Sequence, residues 1–278
     1  MVHLLSSAIS EATPYLPHFI RSRMPLWLAH CPRIFLEYLE QLHLGPELSI
    51  NLPHILQMIK MHAGFSLYAA PSLVSPDQYL ALLHQRAFPV ATCLRSLQCD
   101  DFSLFPDIIH DLFCHVPWLL HQEIVDFFIN MGELFIKAVQ RARALYPVQE
   151  DYLRILNNNI SAMTRICWFT VENGLIKEKG HTKVYGAAIL SSTRELTYVF
   201  KNNSFISPLN IELIIQRPFY TSTLQSAFFI IRDFYELYEI SEMMHLFLEQ
   251  GRLDCINSDS HYMYYPDTGQ STYEFSCS

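Results

Sequence analysis

The protein is 278 residues long, half of them hydrophobic and only 17% charged, a balance that excludes an intrinsically disordered chain. Nineteen Lys and Arg against 27 Asp and Glu give a net charge of −8, which argues against a nucleic-acid-binding surface or a polybasic membrane anchor. Eight glycines exclude collagen-like and glycine-rich low-complexity chains. The N-terminal MVHLLSSAIS lacks the basic start and long apolar run of a signal peptide. Residues 1–60 carry Pro14, Pro17, Pro25, Pro32, Pro46 and Pro53, so helices there are expected to be short or to start at those prolines, forming a helical lead-in. The stretch Pro76 to Gln85 has Tyr79, Leu80, Leu82 and Leu83 at helical spacing, and Phe88 to Leu94 reads as a short strand. Two strong helices follow. One runs from His121 to Leu145 on a stripe of Ile124, Phe127, Phe128, Met131, Leu134, Phe135 and Ala138. The other runs from Glu150 to Gly174 on Leu153, Leu156, Ile160, Met163, Cys167 and Val171, with Gly174 where a helix-ending glycine would sit. Residues 183–200 are expected to be extended or loop-like, and Ser226 to Gln250 a third strong helix stopped by Gly251. The tail from Tyr262 to Phe275 flanks Pro266-Asp267-Thr268-Gly269 with β-prone residues, a hairpin signal. The fold class is mainly α with a few short strands. No repeat or linker divides the chain, so a single domain is expected, with a lead-in at 1–60 and the main body at 61–278.

The seven cysteines form no CxxC pair and are odd in number, which points to buried thiols in a reducing cytoplasm rather than to disulfides or a thiolate zinc site. The longest apolar run, Ala227-Phe228-Phe229-Ile230-Ile231, falls far short of the ~20 residues that span a bilayer.

Chemistry concentrates in Pro106-Asp107-Ile108-Ile109-His110-Asp111-Leu112-Phe113-Cys114-His115-Val116-Pro117. His110 and His115 lie five apart, which on an ideal α-helix places them about 140° apart rather than on one face. Thirteen histidines give about 0.6 such pairs by chance, so the pair alone reads first as two hydrogen-bonded histidines at a helix end. A metal would need a third ligand. Two imidazoles and one carboxylate on one face of Fe(II) leave open positions for dioxygen and water. Asp107, Asp111 and Glu172 are the candidate carboxylates; Glu172 ends the apolar Trp168-Phe169-Thr170-Val171-Glu172 and needs a partner there, a metal or a basic side chain.

Three segments together resemble the pterin-dependent aromatic amino acid hydroxylases: PDIIHDLFCHVP is similar to the family's PDxxHELxGHVP, WFTVENGL to WFTVEFGL, and KVYGAAILSSTREL to KxYGAGxLSSxxEL. A weaker fourth is SLVSPDQYLALLHQRAFPVATCLR, so the match runs from about residue 64 to 200 in the family's order. The resemblance implies the hydroxylase catalytic-domain fold with its C-terminal β-hairpin. It implies that His110, His115 and Glu172 hold Fe(II), that Arg95 grips the substrate carboxylate, and that Ser103, Pro106 and Trp168 line the substrate pocket. It implies that Ser191 supports an iron-ligating histidine from behind, and that Tyr79, Val74 and Asp111 contact a tetrahydropterin, Tyr79 standing where the family has a stacking Phe. Cys114 replaces a Gly, Cys167 a Tyr and Asn173 an aromatic, departures that bear on substrate and pterin more than on reaction class.

The activity implied is a monooxygenase: dioxygen is the co-substrate, one atom going to the tetrahydropterin and the other to the ring of an aromatic amino acid. Phenylalanine, giving tyrosine, is expected, with tryptophan or tyrosine as alternatives. A zinc-dependent hydrolase on the same His, His, Glu set is the alternative class, though no general base stands in an HExxH-like place. A catalytically dead binding protein is a third reading. The family's eukaryotic members add a regulatory domain and a tetramerising helix; with about 60 unmatched residues before the match and an end soon after the hairpin, a cytoplasmic monomer or homodimer is expected.

Overall fold

The computed structural model describes residues 2–45, 49–95, 106–201, 205–221 and 223–258. The chain opens with four helices, α1 (Val2–Ala12), α2 (Leu16–His30), α3 (Arg33–Gln41) and α4 (Leu52–Ala63). Strand β1 (Ser66–Ala70), helix α5 (Pro76–His84) and strand β2 (Ala87–Ala91) form a βαβ unit whose strands pair in parallel. Then come α6 (Ile108–His110), a π-turn over Asp111–His115 and a 3-10 turn over Val116–Leu120. The long helices α7 (Gln122–Leu145) and α8 (Gln149–Cys167) follow, and α8 runs into a second π-turn over Trp168–Glu172. Strands β3 (Leu175–Glu178) and β4 (His181–Val184), short helices α9 (Ala187–Leu190) and α10 (Thr193–Val199), strand β5 (Phe205–Pro208), α11 (Ile211–Gln216), β6 (Ala227–Ile231) and α12 (Tyr235–Glu249) complete the fold. The second sheet has the order β4-β3-β6-β5, with β3 antiparallel to β4 and parallel to β6, and β5 parallel to β6.

One contiguous apolar cluster extends from Leu5 to Ile256. Phe19, Ile20, Trp27 and Phe35 from the N-terminal helices are fully buried in it, beside Phe113, Phe127 and Phe128. The N-terminal segment is therefore part of the wall behind the site, and residue 60 falls inside α4 rather than between bodies. Pro17 opens α2 as expected, but Pro25 lies within it, contrary to the expectation that helices here start at the prolines.

The predicted helix over 76–85, strand from Phe88 and helix over 121–145 match α5, β2 and α7. Three expectations are corrected. Residues 183–200 are not extended: after β4 they form α9 and α10, too short to show a helical period. The expected helix over 226–250 is β6 followed by α12. Ala227–Ile231 is a continuous apolar run because β6 is flanked on both sides by strands and buried, a pattern that periodicity cannot tell from a buried helix. Gly251, with φ of +71°, does end α12. Gly174, by contrast, is not in the left-handed region. It lacks a side chain because a Cβ there would lie 2.2 Å from the Thr170 carbonyl oxygen and 2.3 Å from the Tyr185 ring. The predicted tail hairpin, Tyr262 to Phe275, lies outside the described residues.

Candidate metal centre

Asp107 starts the segment that carries both histidines. Its Oδ1 accepts from the His110 backbone N–H at 2.9 Å, capping α6. The backbone then widens into the π-turn, and the Val116 N–H reaches back to the Asp111 carbonyl, five residues earlier. Bonding from i to i+5 brings residues five apart over one another. His110 and His115, which an ideal α-helix would splay apart, accordingly converge, their ring centroids 4.8 Å apart at 72°.

Glu172 arrives by the same device. The second π-turn closes with the Asn173 N–H on the Trp168 carbonyl at 3.0 Å, and the Asn173 side-chain amide donates to that same oxygen at 3.1 Å. Asn173, which replaces an aromatic, thus braces the turn. Behind Glu172, the Tyr185 and Gly186 N–H groups both donate to the Gly174 carbonyl. A Cβ on Gly186 would stand 2.4 Å from the Glu172 carbonyl oxygen, so only glycine lets the two backbones meet.

Glu172 Oε1 lies 3.0 Å from His115 Nε2, and Oε2 lies 3.5 Å from His110 Nε2. One ligand atom from each residue falls within 4.8 Å of the others, and this is the group of metal-binding geometry among the described residues. The histidines are buried, while the Glu172 side chain keeps 22% of its surface exposed, leaving a way in. Burial by itself would raise the Glu172 carboxyl, but His115 and His110 outweigh it and hold the group well below the usual range. His110 is raised in return: burial opposes its charge, and the carboxylates of Glu172, Asp111 and Asp107 overcome that. These shifts are those of a buried ion pair, and it is the donor set itself, two imidazoles and one carboxylate brought together, that suits Fe(II).

The other two candidate carboxylates have different tasks. Asp107 faces Arg95: Arg95 Nε donates to Oδ2 and Nη2 to Oδ1, both at 2.8 Å, with both side chains almost fully buried. Asp111 accepts from the Ala91 N–H at 2.6 Å and lies 3.9 Å from His110 Nε2, its carboxyl pushed up to about 6 by burial.

Ser191, the residue after α9, lies behind His110. Its Oγ donates to the Ala188 carbonyl at 3.0 Å and is 3.2 Å from His110 Nδ1. With the hydroxyl hydrogen committed to Ala188, Oγ accepts from Nδ1–H, which leaves the Nε2 lone pair directed at the cluster. Ser192 has a separate duty, capping α10 by accepting from the Glu195 N–H at 3.1 Å.

The family model for biopterin-dependent aromatic amino acid hydroxylases matches residues 26–146 and 147–250. The chain belongs to this family. The match begins well before residue 64, so the end of α2 and all of α3 and α4 belong to the hydroxylase body. The chain is 44% identical over 239 residues to a probable aromatic amino acid hydroxylase of Chlamydia pneumoniae, covering 85% of this chain and 65% of that protein. It is 31% identical over 209 residues to phenylalanine-4-hydroxylase of Vibrio cholerae, covering 75% and 66%. It therefore spans just under two thirds of the length of these curated relatives. The crystal structure of Chromobacterium violaceum phenylalanine hydroxylase with bound iron(III) and 7,8-dihydrobiopterin superposes with a TM-score of 0.72 at 26% identity, covering 90% of this chain and 85% of that one. Phenylalanine hydroxylase of Legionella pneumophila gives the same score and identity over 85% and 95%.

Trp168, Tyr79, Val74 and Pro106 are the remaining described positions that the hydroxylase resemblance singles out. Trp168 opens the second π-turn, stacks on Phe219 with centroids 4.4 Å apart, and donates Nε1–H to Gln225 Oε1 at 3.1 Å. Phe219 and Gln225 carry no motif and could not be placed beside Trp168 from the sequence. Tyr79, on α5, lies edge-on to Phe88, which in turn packs 5.4 Å from the His115 ring. The Tyr79 hydroxyl is buried with no partner, within electrostatic reach of Cys167, Glu172 and Asp111. Val74 is half-buried in the segment leading to α5, and Pro106 is exposed, its carbonyl accepting from the Cys93 thiol. Ser103 lies outside the described residues. The Cys167 thiol is pushed up to about 12 by burial and by Glu172, and Cys114 is raised by burial, so both act as small apolar side chains rather than thiolates.

Proposed function

We propose that this chain is an Fe(II)- and tetrahydropterin-dependent monooxygenase that hydroxylates the ring of an aromatic amino acid, with phenylalanine to tyrosine as its principal reaction. The observation that carries this reading is the convergence of His110, His115 and Glu172 on one point in a chain of the biopterin-dependent hydroxylase family. The relative from Chromobacterium violaceum holds iron(III) and 7,8-dihydrobiopterin in the same fold. The residues here suit both groups. Two neutral imidazoles and one carboxylate form a facial set for Fe(II), and the orphaned Tyr79 hydroxyl offers a buried polar contact on the side assigned to the pterin.

In this reading His110, His115 and Glu172 hold the metal, and Tyr79, Val74 and Asp111 line the pterin side. Bound iron and tetrahydropterin would supply the activation of dioxygen. The chain's own groups position the reactants. Arg95, held by Asp107 and by its Nη1 bond to the Ser191 carbonyl, is the guanidinium that meets the amino acid carboxylate. A guanidinium suits that task because it stays charged and pairs with planar carboxylates. Trp168, fixed by Phe219 and Gln225, forms the wall against which the substrate ring lies, and Pro106 lines the same pocket. Ser191 keeps the Nε2 lone pair of His110 on the metal. The buried Phe88, packed against the His115 ring, excludes water behind that ligand.

Among the described residues no helix is long and apolar enough to cross a membrane. The described cysteines Cys31, Cys93, Cys114, Cys167 and Cys255 are free thiols, which supports a reducing, cytoplasmic setting. There the enzyme acts as a monomer or homodimer on a small amino acid.

Anaerobic loading with Fe(II), followed by turnover of phenylalanine, tyrosine and tryptophan with a synthetic tetrahydropterin, tests the proposal. Tyrosine from phenylalanine, with pterin-dependent oxygen consumption, is expected. A hydroxylated tryptophan or tyrosine as the main product would shift the substrate and keep the reaction. Tightly held zinc and no pterin-dependent oxygen uptake would overturn it in favour of hydrolytic chemistry.

A further inference from the structure

We propose that Arg23, on the N-terminal helix α2, is a positioning residue for the metal site, acting through the backbone of Ser191. The inference rests on His110, His115 and Glu172 holding a divalent metal. Helix α9 is only four residues long, and the carbonyls at its C-terminal end have no partner within it. Two side chains of α2, one turn apart, supply donors from outside. Trp27 Nε1 donates to the Leu190 carbonyl at 3.0 Å, and Arg23 Nε donates to the Ser191 carbonyl at 3.0 Å. Arg95 Nη1 donates to that same Ser191 oxygen at 3.1 Å. The Ser191 peptide is thus clamped between a guanidinium of α2 and the guanidinium proposed to meet the substrate.

The clamp matters because the same residue's Oγ stands behind His110. Rotation of the Ser191 peptide would carry Oγ off Nδ1 and release the ring from its orientation. Arg23 is fixed well enough to prevent that. It is 1% exposed, its guanidinium carbon lies 3.9 Å from the Phe19 ring centroid, and its Nη1 donates to Ser22 Oγ at 2.8 Å. Arg95 lies against the same Phe19 ring at 5.6 Å. One aromatic side chain of α2 therefore steadies both guanidiniums. Arg23 itself precedes residue 26, where the family match begins, while its partner Ser191 lies within the match.

The test compares Arg23→Met, Arg23→Lys and Trp27→Phe with the wild type by Co(II) titration, read from the cobalt absorption bands, with thermal unfolding alongside. Residues that orient metal ligands change affinity by about 10–100-fold when lost. Acting one link further out, Arg23→Met is expected to raise the Co(II) Kd about tenfold and alter the absorption bands. Arg23→Lys keeps one donor and the charge but loses the fork, and is expected to cost about threefold. Trp27→Phe removes the neighbouring strut, lowers stability, and is expected to leave Kd within about twofold because it does not touch Ser191. If Arg23→Met fails to fold, Arg23→Lys against Trp27→Phe decides. Equal Kd values for Arg23 variants and wild type, or an equal loss in Trp27→Phe, would overturn the proposal and leave Arg23 a strut between helices. Failure of the wild type to bind Co(II) would instead strike the underlying assignment of the metal site.

Discussion

Arg95 and Asp107 form a buried, two-pronged ion pair, with Nε and Nη2 each 2.8 Å from a carboxylate oxygen. The pair connects two functions. Asp107 also caps the helix that presents His110, and Arg95 also holds the Ser191 carbonyl behind that histidine. Burial would raise the Asp107 carboxyl, but the bonds from Arg95 outweigh it and hold the group low. Removing one partner of such a pair leaves an uncompensated buried charge. Asp107→Ala is expected to lose about 3–5 kcal/mol in urea unfolding. The double variant Arg95→Met with Asp107→Leu is expected to recover most of that stability while losing affinity for the amino acid. If the double variant is no more stable than Asp107→Ala, the ion pair is not the source of the loss.

Ser191→Ala isolates the hydroxyl from the carbonyl. The clamp by Arg23 and Arg95 stays, and the lost Oγ bond to Ala188 costs about 1 kcal/mol. Metal affinity is expected to fall about 10–100-fold, because His110 is no longer held in one tautomer. Isothermal titration with Fe(II) under anaerobic conditions measures it; an unchanged Kd contradicts the role given to Oγ.

Gly186→Ala probes the close approach behind Glu172. The added Cβ would lie 2.4 Å from the Glu172 carbonyl oxygen and 2.5 Å from the Gly174 nitrogen, so backbone has to move. A loss of about 1–3 kcal/mol is expected from overpacking, together with weaker metal binding, since the displaced segment carries a ligand. Thermal unfolding and Co(II) titration on the same sample check both parts. A stable variant with wild-type Co(II) affinity would show that the contact is not restrictive.

Glu195 gives a pH signature. Burial pushes its carboxyl up to about 7, against the partial help of His110 and Arg194. A raised carboxyl means that the folded state binds more protons than the unfolded state between about pH 4.5 and 7, so stability falls as pH rises through that window. In the metal-free protein, Glu195→Gln is expected to be more stable than wild type by about 3 kcal/mol at pH 8, each tenfold change in proton affinity being worth about 1.4 kcal/mol. The advantage shrinks to nothing near pH 4. Equal stability at pH 8 would show that the charged form is well accommodated.

How much of this was legible in the sequence differs from element to element. The three proposed ligands could be named only through the motifs that resemble the hydroxylase family, and their convergence was not legible at all. A five-residue spacing argues against one face until the π-turn at Asp111–His115 is seen, and nothing in DLFCH signals a widened turn. Asp107 read as a possible ligand because a carboxylate near two histidines gives no hint that an arginine twelve residues away will claim it. The amphipathic α5 and α7 were legible from their apolar stripes. Strand β6 was not, since burial on both faces erases alternation. Arg23 was invisible for a different reason: its partner is a backbone carbonyl 168 residues distant, and a carbonyl carries no residue type.

The central claim is that His110, His115 and Glu172 together hold one iron. Metal analysis of the anaerobically loaded wild type and of His115→Ala tests it most directly. The structure predicts one Fe(II) per chain in the wild type and none retained in the variant, with folding preserved by circular dichroism. Full iron occupancy in folded His115→Ala would contradict it.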